Sequence, residues 1–257
     1  MGANFTGIDR RMANLFASDG KSLILAFDHG IGGANYAGMA TPEKTLTEAI
    51  GAGADAILTT VGQALRFGKI ISRVGLVVNL DDLVEEPTYG VRQALSIGAD
   101  MGKVIAFPGS STYLDSVHRA ARLCAIAHDH AFPMMVEPIP VSFESKADHT
   151  PDKIGPAARM AAEMGADLLK IQYTGDAESF RQIMAPLFRP VIVLGGPNRG
   201  NIREVFTDVR TAIDEGAVGI AIGRNIWAHE HPAKVVTAMA AIIHGGASVD
   251  EAMKELD

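Results

Sequence analysis

Gly165-Ala166-Asp167-Leu168-Leu169-Lys170-Ile171-Gln172-Tyr173 joins a helix stop, a very short link and an apolar strand in one phrase. The phrase returns. It stands at Gly53-Ala54-Asp55 before Ala56 to Thr60, at Gly98-Ala99-Asp100 before Val104 to Phe107, and as Gly216-Ala217 before Val218 to Ile222. Glycine closes each helix in the left-handed conformation and the strand follows at once. Ser22 to Phe27, Gly75 to Leu80, Pro133 to Glu137 and Pro190 to Leu194 complete eight strands. Between them run stripes at helical spacing, such as Ile202, Val205, Val209, Ala212 and Ile213, or Val235, Met239, Ile242 and Ile243.

Eight alternating units in 257 residues predict an α/β chain folded as a closed (β/α)8 TIM barrel, one domain over residues 1–257. A Rossmann-like open sheet is the rival. It calls for a Gly-x-Gly-x-x-Gly turn opening a helix after the first strand, where this chain has Asp28-His29-Gly30-Ile31-Gly32-Gly33 with no immediate helix. The glycine-rich segment continues as a loop through Gly38, and Thr41-Pro42 reads as a helix start. Ahead of the first strand, Ile8, Met12, Leu15 and Phe16 predict a short amphipathic helix across one end of the barrel.

Composition narrows the function. With 47% apolar residues the chain can bury one large core, and its net charge of −7 argues against nucleic acid or an anionic membrane as partner. No apolar stretch is long enough to span a bilayer and the N-terminus lacks the pattern of a signal peptide, so a soluble cytoplasmic protein is expected. The single cysteine, Cys124, sits at helical spacing with Val117, Ala120, Ala121 and Ala127, which reads as core packing. The histidines form no recognisable ligand set: His128 and His130 precede strand five, and His229 and His231 sit in the linker before the last helix. Neither metal nor cofactor is expected.

In a barrel of this kind chemistry lies at the C-terminal ends of the strands. Lys170 lies inside an apolar strand, flanked by Leu168, Leu169 and Ile171, where desolvation disfavours its charged form. Such an amine is either a nucleophile for a carbonyl carbon or half of a structural ion pair. Glu137 ends strand five ahead of Pro138-Ile139-Pro140, placed for proton transfer beside Lys170 or for pairing with it. Asp28 closes strand one, to orient the lysine, bind a substrate hydroxyl or cap the loop; His29 beside it either reaches the site or bonds the backbone. Gln172 lies two residues beyond Lys170 as a possible substrate contact. Gly195 and Gly196 after strand seven, and Gly223 and Arg224 after strand eight, favour a phosphate site over mere tight turns. Asn225 to Trp227 suit the short extra helix of such a site. Arg66 after strand two is a possible second anion contact or a solvated helix arginine. Lys103, read at the start of strand four, belongs to the opposite, stability face.

Four segments together resemble the archaeal-type class I fructose-bisphosphate aldolases and their relatives, the autoinducer-2 phosphate thiolase and the tagatose-bisphosphate and sulfofructose-phosphate aldolases. They are Leu25 to Gly30, Ala161 to Lys170, Val193 to Gly196, and Gly219 to Ile226. The resemblance implies Lys170 as the Schiff-base lysine, Asp28 as an active-site carboxylate, Gly195, Gly196, Gly223 and Arg224 as phosphate ligands, and a homo-oligomer. One segment departs. Where many archaeal-type members have Tyr-Pro-Arg-Gly after strand five, this chain has Val136-Glu137-Pro138-Ile139-Pro140, similar to the tagatose-bisphosphate and sulfofructose-phosphate branch, in which a glutamate transfers the proton.

The function expected is therefore class I, metal-independent cleavage of a phosphorylated ketose to dihydroxyacetone phosphate and an aldehyde. Sulfofructose phosphate, tagatose bisphosphate and fructose bisphosphate are the candidate substrates. The alternatives are thiolase-like acyl transfer on a phosphorylated diketone, or a phosphosugar-binding regulator without catalysis.

Overall fold

A computed structural model describes residues 6–32, 39–81, 87–196 and 200–257. The expected loop over Gly33 to Gly38 and Pro197 beyond the strand-seven glycines lie outside the described residues. The elements follow one another as α1 (Gly7–Ala13), β1 (Ser22–Ala26), α2 (Pro42–Gly51), β2 (Ala56–Thr59), α3 (Val61–Ile71), β3 (Gly75–Asn79), α4 (Pro87–Ser96), β4 (Met101–Ala106), α5 (Ser116–Asp129) and β5 (Met134–Pro138). The second half continues as α6 (Pro151–Glu163), β6 (Leu168–Gln172), α7 (Ala177–Met184), β7 (Val191–Leu194), α8 (Ile202–Asp214), β8 (Gly219–Ile222), α9 (Arg224–Trp227), α10 (Pro232–Ile243) and α11 (Val249–Lys254). The eight strands are parallel and close in order, β8 pairing with β1 through Leu23 opposite Ile220. The predicted TIM barrel is the observed fold. No helix of the described residues is long and apolar enough to cross a membrane.

Alternation along each strand divides the apolar residues between two layers. Ile24, Ala26, Ala56, Leu58, Val77, Met101, Met135, Leu168, Ile192 and Ala221 fill the barrel interior. Their neighbours, among them Leu23, Leu25, Ile57, Val78, Val104, Val136, Leu169, Ile171, Val193 and Ile220, pack outward against the helices. The N-terminal end is shut by α1 and the turn after it. Thr6 and Asp9 form a capping box that starts this helix, and Leu15, fully buried, joins the interior layer with Met12 and Phe16 against it. Ser22 ties the plug down by donating to the Leu15 carbonyl at 2.5 Å. Gly75 is required where it passes beneath, since a Cβ there would stand 2.6 Å from the Asn14 carbonyl oxygen.

The repeated phrase does more than stop helices. Gly53, Gly98, Gly165 and Gly216 all take positive φ, as a left-handed helix end requires. The aspartate that follows then clamps the start of the preceding strand: its backbone N–H donates to that residue's carbonyl while its carboxylate accepts that residue's N–H. Asp55 does this to Leu23, Asp100 to Leu76 and Asp167 to Met134, with carboxylate distances of 2.7, 2.9 and 2.9 Å. In the fourth copy Val218 keeps only the backbone half, donating to Val191. The clamps sit at the N-terminal face, so the base of the barrel is held by local chemistry independent of the site.

Candidate active site

Alternation that puts Ile24, Val77, Met101, Met135 and Leu168 in the interior also turns Asp28, Asn79, Asp81, Lys103, Glu137, Lys170 and Gln172 inward. Two lysines and three carboxylates meet there, each under a tenth exposed. Lys170 Nζ donates to Glu137 Oε2 at 2.9 Å. Lys103 Nζ stands 3.2 Å from the same oxygen, 2.7 Å from Asp81 Oδ2 and 3.8 Å from Asp28 Oδ2. Asn79 Nδ2 donates to Asp28 Oδ2 at 2.6 Å, and Ile105 N–H donates to Asp81 Oδ1 at 2.7 Å. Arg119 on α5 approaches Asp81 from outside at 3.9 Å.

Lys103 is therefore a correction. The strand begins three residues before Val104, so Lys103 is its third residue and faces the site instead of the base. Gly102 masked this, because a glycine beside Met101 reads as the end of a linker. In the fold that glycine is a close approach: a Cβ would lie 2.7 Å from Met134 Sδ and 2.8 Å from Leu80 Cδ1.

Charge separates the two lysines. Burial works against the Lys103 ammonium, but Asp81, Glu137 and Asp28 together outweigh it and hold this group well above the usual lysine range. Lys103 is thus a fixed cation and no nucleophile. Lys170 has one carboxylate within ion-pair distance among the described residues, Glu137, and shares it with Lys103. Burial would raise the carboxyls of Glu137 and Asp28, yet both are held below their ordinary range, Glu137 by Lys170 and Lys103, Asp28 by Lys103 and Lys170. The 2.9 Å hydrogen bond is a direct path for a proton between Lys170 and Glu137, and Lys103 balances the surrounding negative charge.

The second half of the site lies across the mouth, on β7 and β8. Gly196 takes φ +62°. Gly195 and Gly223 are also packing requirements, since a Cβ would meet Ile222 Cγ2 at 2.6 Å in the first and the Ala26 carbonyl oxygen at 2.3 Å in the second. Asn225 Nδ2 donates to the Gly195 carbonyl at 2.8 Å and Trp227 Nε1 to the Ala26 carbonyl at 3.2 Å, so α9 sews β7, β8 and β1 together at the rim. Arg224 opens that short helix, and its buried Nε has no hydrogen-bond partner among the described residues. A donor desolvated in this way is open to an acceptor, a water or an ion.

His29 stands edge-on to Trp227 at 5.4 Å between ring centroids, with Nδ1 3.7 Å from Asp28 Oδ1. It begins a 3-10 turn, His29–Gly32, where an irregular loop was expected. Burial, more than the opposing pull of Asp28, lowers its pKa, so it enters the site as a neutral imidazole. Gln172 Nε2 contacts His149 Nδ1 at 2.9 Å, a histidine of the segment after β5 that nothing local in the sequence had marked. Arg66 does not join the site. It is exposed on α3 with its guanidinium over the Phe67 ring at 5.3 Å, facing the groove between α2 and α3. Among the described residues no group of three or more His, Cys, Asp and Glu side chains is arranged to hold a metal ion. Cys124 is buried, and burial pushes its thiol up to about 12.

A model of the DeoC/LacD family aldolases matches residues 22–229. The chain is 31% identical to an uncharacterized aldolase of Saccharolobus solfataricus, covering 97% of this chain and 99% of that one. It is also 31% identical to the class 1 fructose-bisphosphate aldolase of Thermoproteus tenax, over 97% and 98% of the two chains. The 2-amino-3,7-dideoxy-D-threo-hept-6-ulosonate synthase of Halobacterium salinarum is 30% identical, over 93% of each. Among solved structures, an archaeal fructose-1,6-bisphosphate aldolase with its catalytic lysine bound to the carbinolamine intermediate of the substrate matches with TM-score 0.82 at 30% identity. That match covers 93% of this chain and 100% of the other.

Proposed function

Because the chain belongs to the DeoC/LacD aldolase family and is a class I aldolase by that kinship, we propose that it cleaves a phosphorylated ketose to dihydroxyacetone phosphate and an aldehyde, with Lys170 as the Schiff-base lysine. The observation that carries this reading is the 2.9 Å contact of Lys170 with Glu137, a carboxylate also held by the permanent Lys103 cation.

Lys170 gives its proton to Glu137 and its amine attacks the substrate carbonyl carbon. Glu137 passes that proton on to the carbinolamine hydroxyl, which leaves as water, so a protonated imine forms and Glu137 is a carboxylate again. The imine is the electron sink, so this route needs no metal. Glu137, kept ionised by the two lysines, takes the proton of the hydroxyl beside the scissile bond. The bond breaks, its electrons pass into the imine to give an enamine, and the aldehyde leaves. Protonation of the enamine carbon and hydrolysis release the second product and restore Lys170. Asp28, fixed by Asn79, faces the same space and serves to orient a substrate hydroxyl.

Gly195, Gly196, Gly223 and Arg224 are the phosphate ligands in this reading, supported by the Arg224 Nε, which has no partner among the described residues. Holding the phosphate there fixes the carbonyl carbon beside Lys170. The glutamate in place of a tyrosine favours a sulfofructose phosphate or tagatose bisphosphate over fructose bisphosphate.

Incubation with dihydroxyacetone phosphate and borohydride tests the proposal. A reduced adduct on the peptide carrying Lys170 is expected. Phosphate binding without an adduct would leave a phosphosugar-binding protein and remove the aldolase mechanism. Product formed only with acetyl-CoA would make the chemistry acyl transfer.

A further inference from the structure

Gln172 is the last residue of β6, two beyond Lys170 on the inward face, about 6–7 Å nearer the opening. Its amide is held in a chain whose polarity can be read from chemistry alone. His149 Nε2 lies 2.8 Å from the Ser142 carbonyl oxygen. A carbonyl only accepts, so Nε2 carries the hydrogen, and in the tautomer this selects Nδ1 is left as an acceptor. The contact between Nδ1 and Gln172 at 2.9 Å must then be a donation from the Gln172 NH2 group. The amide cannot turn over without setting its oxygen against a lone pair. Gln172 Oε1 is consequently fixed away from His149, buried, and without a hydrogen-bond partner among the described residues.

The backbone supports this arrangement. Val141, next to Ser142, takes φ +63°, a conformation a β-branched residue rarely adopts, and its N–H donates to the Pro108 carbonyl at 2.9 Å. The strained turn carries the Ser142 carbonyl that sets the tautomer of His149. Three groups from the segment after β5 and from β6 thus aim one acceptor.

We propose that Gln172 is a specificity-determining residue whose amide oxygen receives a hydroxyl of the aldehyde-derived half of the substrate, and that His149 is the positioning residue that keeps the oxygen turned toward it. The inference rests on Lys170 being the imine lysine. With the carbonyl carbon at Lys170 and the phosphate at β7 and β8, the chain beyond the scissile bond is the part left to rise past Gln172. A buried acceptor that waits for a hydroxyl rejects an analogue lacking it, because the polar atom then stays unpaired.

The test runs in the synthetic direction, dihydroxyacetone phosphate being joined either to glyceraldehyde or to propionaldehyde, which lacks the hydroxyls. Wild type should prefer glyceraldehyde, and Gln172→Leu should lower the ratio of the two kcat/KM values by about 10–100-fold. Borohydride trapping with dihydroxyacetone phosphate should persist in this variant, which also shows that it folds. His149→Leu should lower the ratio in the same sense. His149→Gln, whose amide both donates and accepts, should restore it. Trapping in every variant with an unchanged ratio overturns the role of Gln172. A ratio changed by Gln172→Leu but not by His149→Leu overturns the role of His149. Loss of trapping in wild type itself overturns the aldolase reading and this inference with it.

Discussion

Replacing each lysine of the cluster by methionine should separate the one that holds the fold from the one that reacts. Lys103→Met removes the 2.7 Å partner of Asp81, the 3.2 Å partner of Glu137 and the 3.8 Å neighbour of Asp28 in one step. Breaking a buried ion pair from one side costs about 3–5 kcal/mol. At roughly 2–4 °C per kcal/mol for a chain of this size, Tm should fall by roughly 6–20 °C. Lys170→Met removes only the contact with Glu137, which keeps Lys103, and leaves Asp28 and Asp81 their nearest partners. Its cost should be the smaller of the two, because Glu137 keeps Lys103 at 3.2 Å, while activity and borohydride trapping vanish. The difference should narrow in acid. Without Lys103, burial still raises the Asp28 and Glu137 carboxyls while one of the cations that lowered them is gone, so the deficit of Lys103→Met shrinks as pH falls toward about 4. Wild type runs the other way. Asp28 and Glu137 are depressed below their unfolded values of 3.8 and 4.5, so their contribution is present above those values and lost as pH falls through the lower folded ones. Thermal melts of the three proteins at pH 7 and pH 4.5 are the assay. Equal losses of Tm in the two variants at pH 7 would refute the division of labour between the lysines.

Glu137→Gln should lower kcat by roughly 10²–10⁴-fold while leaving some borohydride-trapped adduct at Lys170, a split visible by comparing steady-state rates with intact mass. Arg224→Ala should raise KM for phosphorylated substrate by roughly 10–100-fold, from about 1.5–3 kcal/mol for a charge-assisted bond, with little effect on an unphosphorylated ketose. Asp167→Ala strands the buried Met134 N–H and frees His128, so it should cost about 1–3 kcal/mol in denaturant unfolding without changing kcat, because it acts at the base.

The barrel was legible because its signals are local: glycine at each helix end, an apolar run after it, and a helical stripe between. The resemblance carried by four such segments is borne out by the match over residues 22–229. Lys170, Glu137 and Asp28 were legible as charges placed where the apolar pattern breaks off. Lys103 was not, because Gly102 hid the start of β4. Counting inward residues back from Ile105 would have turned it into the site, whereas propensity alone pointed to a link. Asn79 and Asp81 stood at a strand end without a visible task, since what they do is hold Asp28 and Lys103 across the barrel. His149 carried no signal at all, as it reaches Gln172 only once the segment after β5 has folded over the mouth. Arg66 follows strand two closely in sequence, yet helical geometry carries it outward to the α2–α3 groove.

The aspartate clamps at the base have a consequence for how this scaffold accommodates change. Each one fastens a strand through atoms that lie in the return link, on the far side of the molecule from the substrate. Insertions and replacements in the segments after β1, β5 or β7 therefore leave the fastening untouched. An enzyme built this way can be taught a new carbon skeleton at its rim while the same staves and hoops hold underneath.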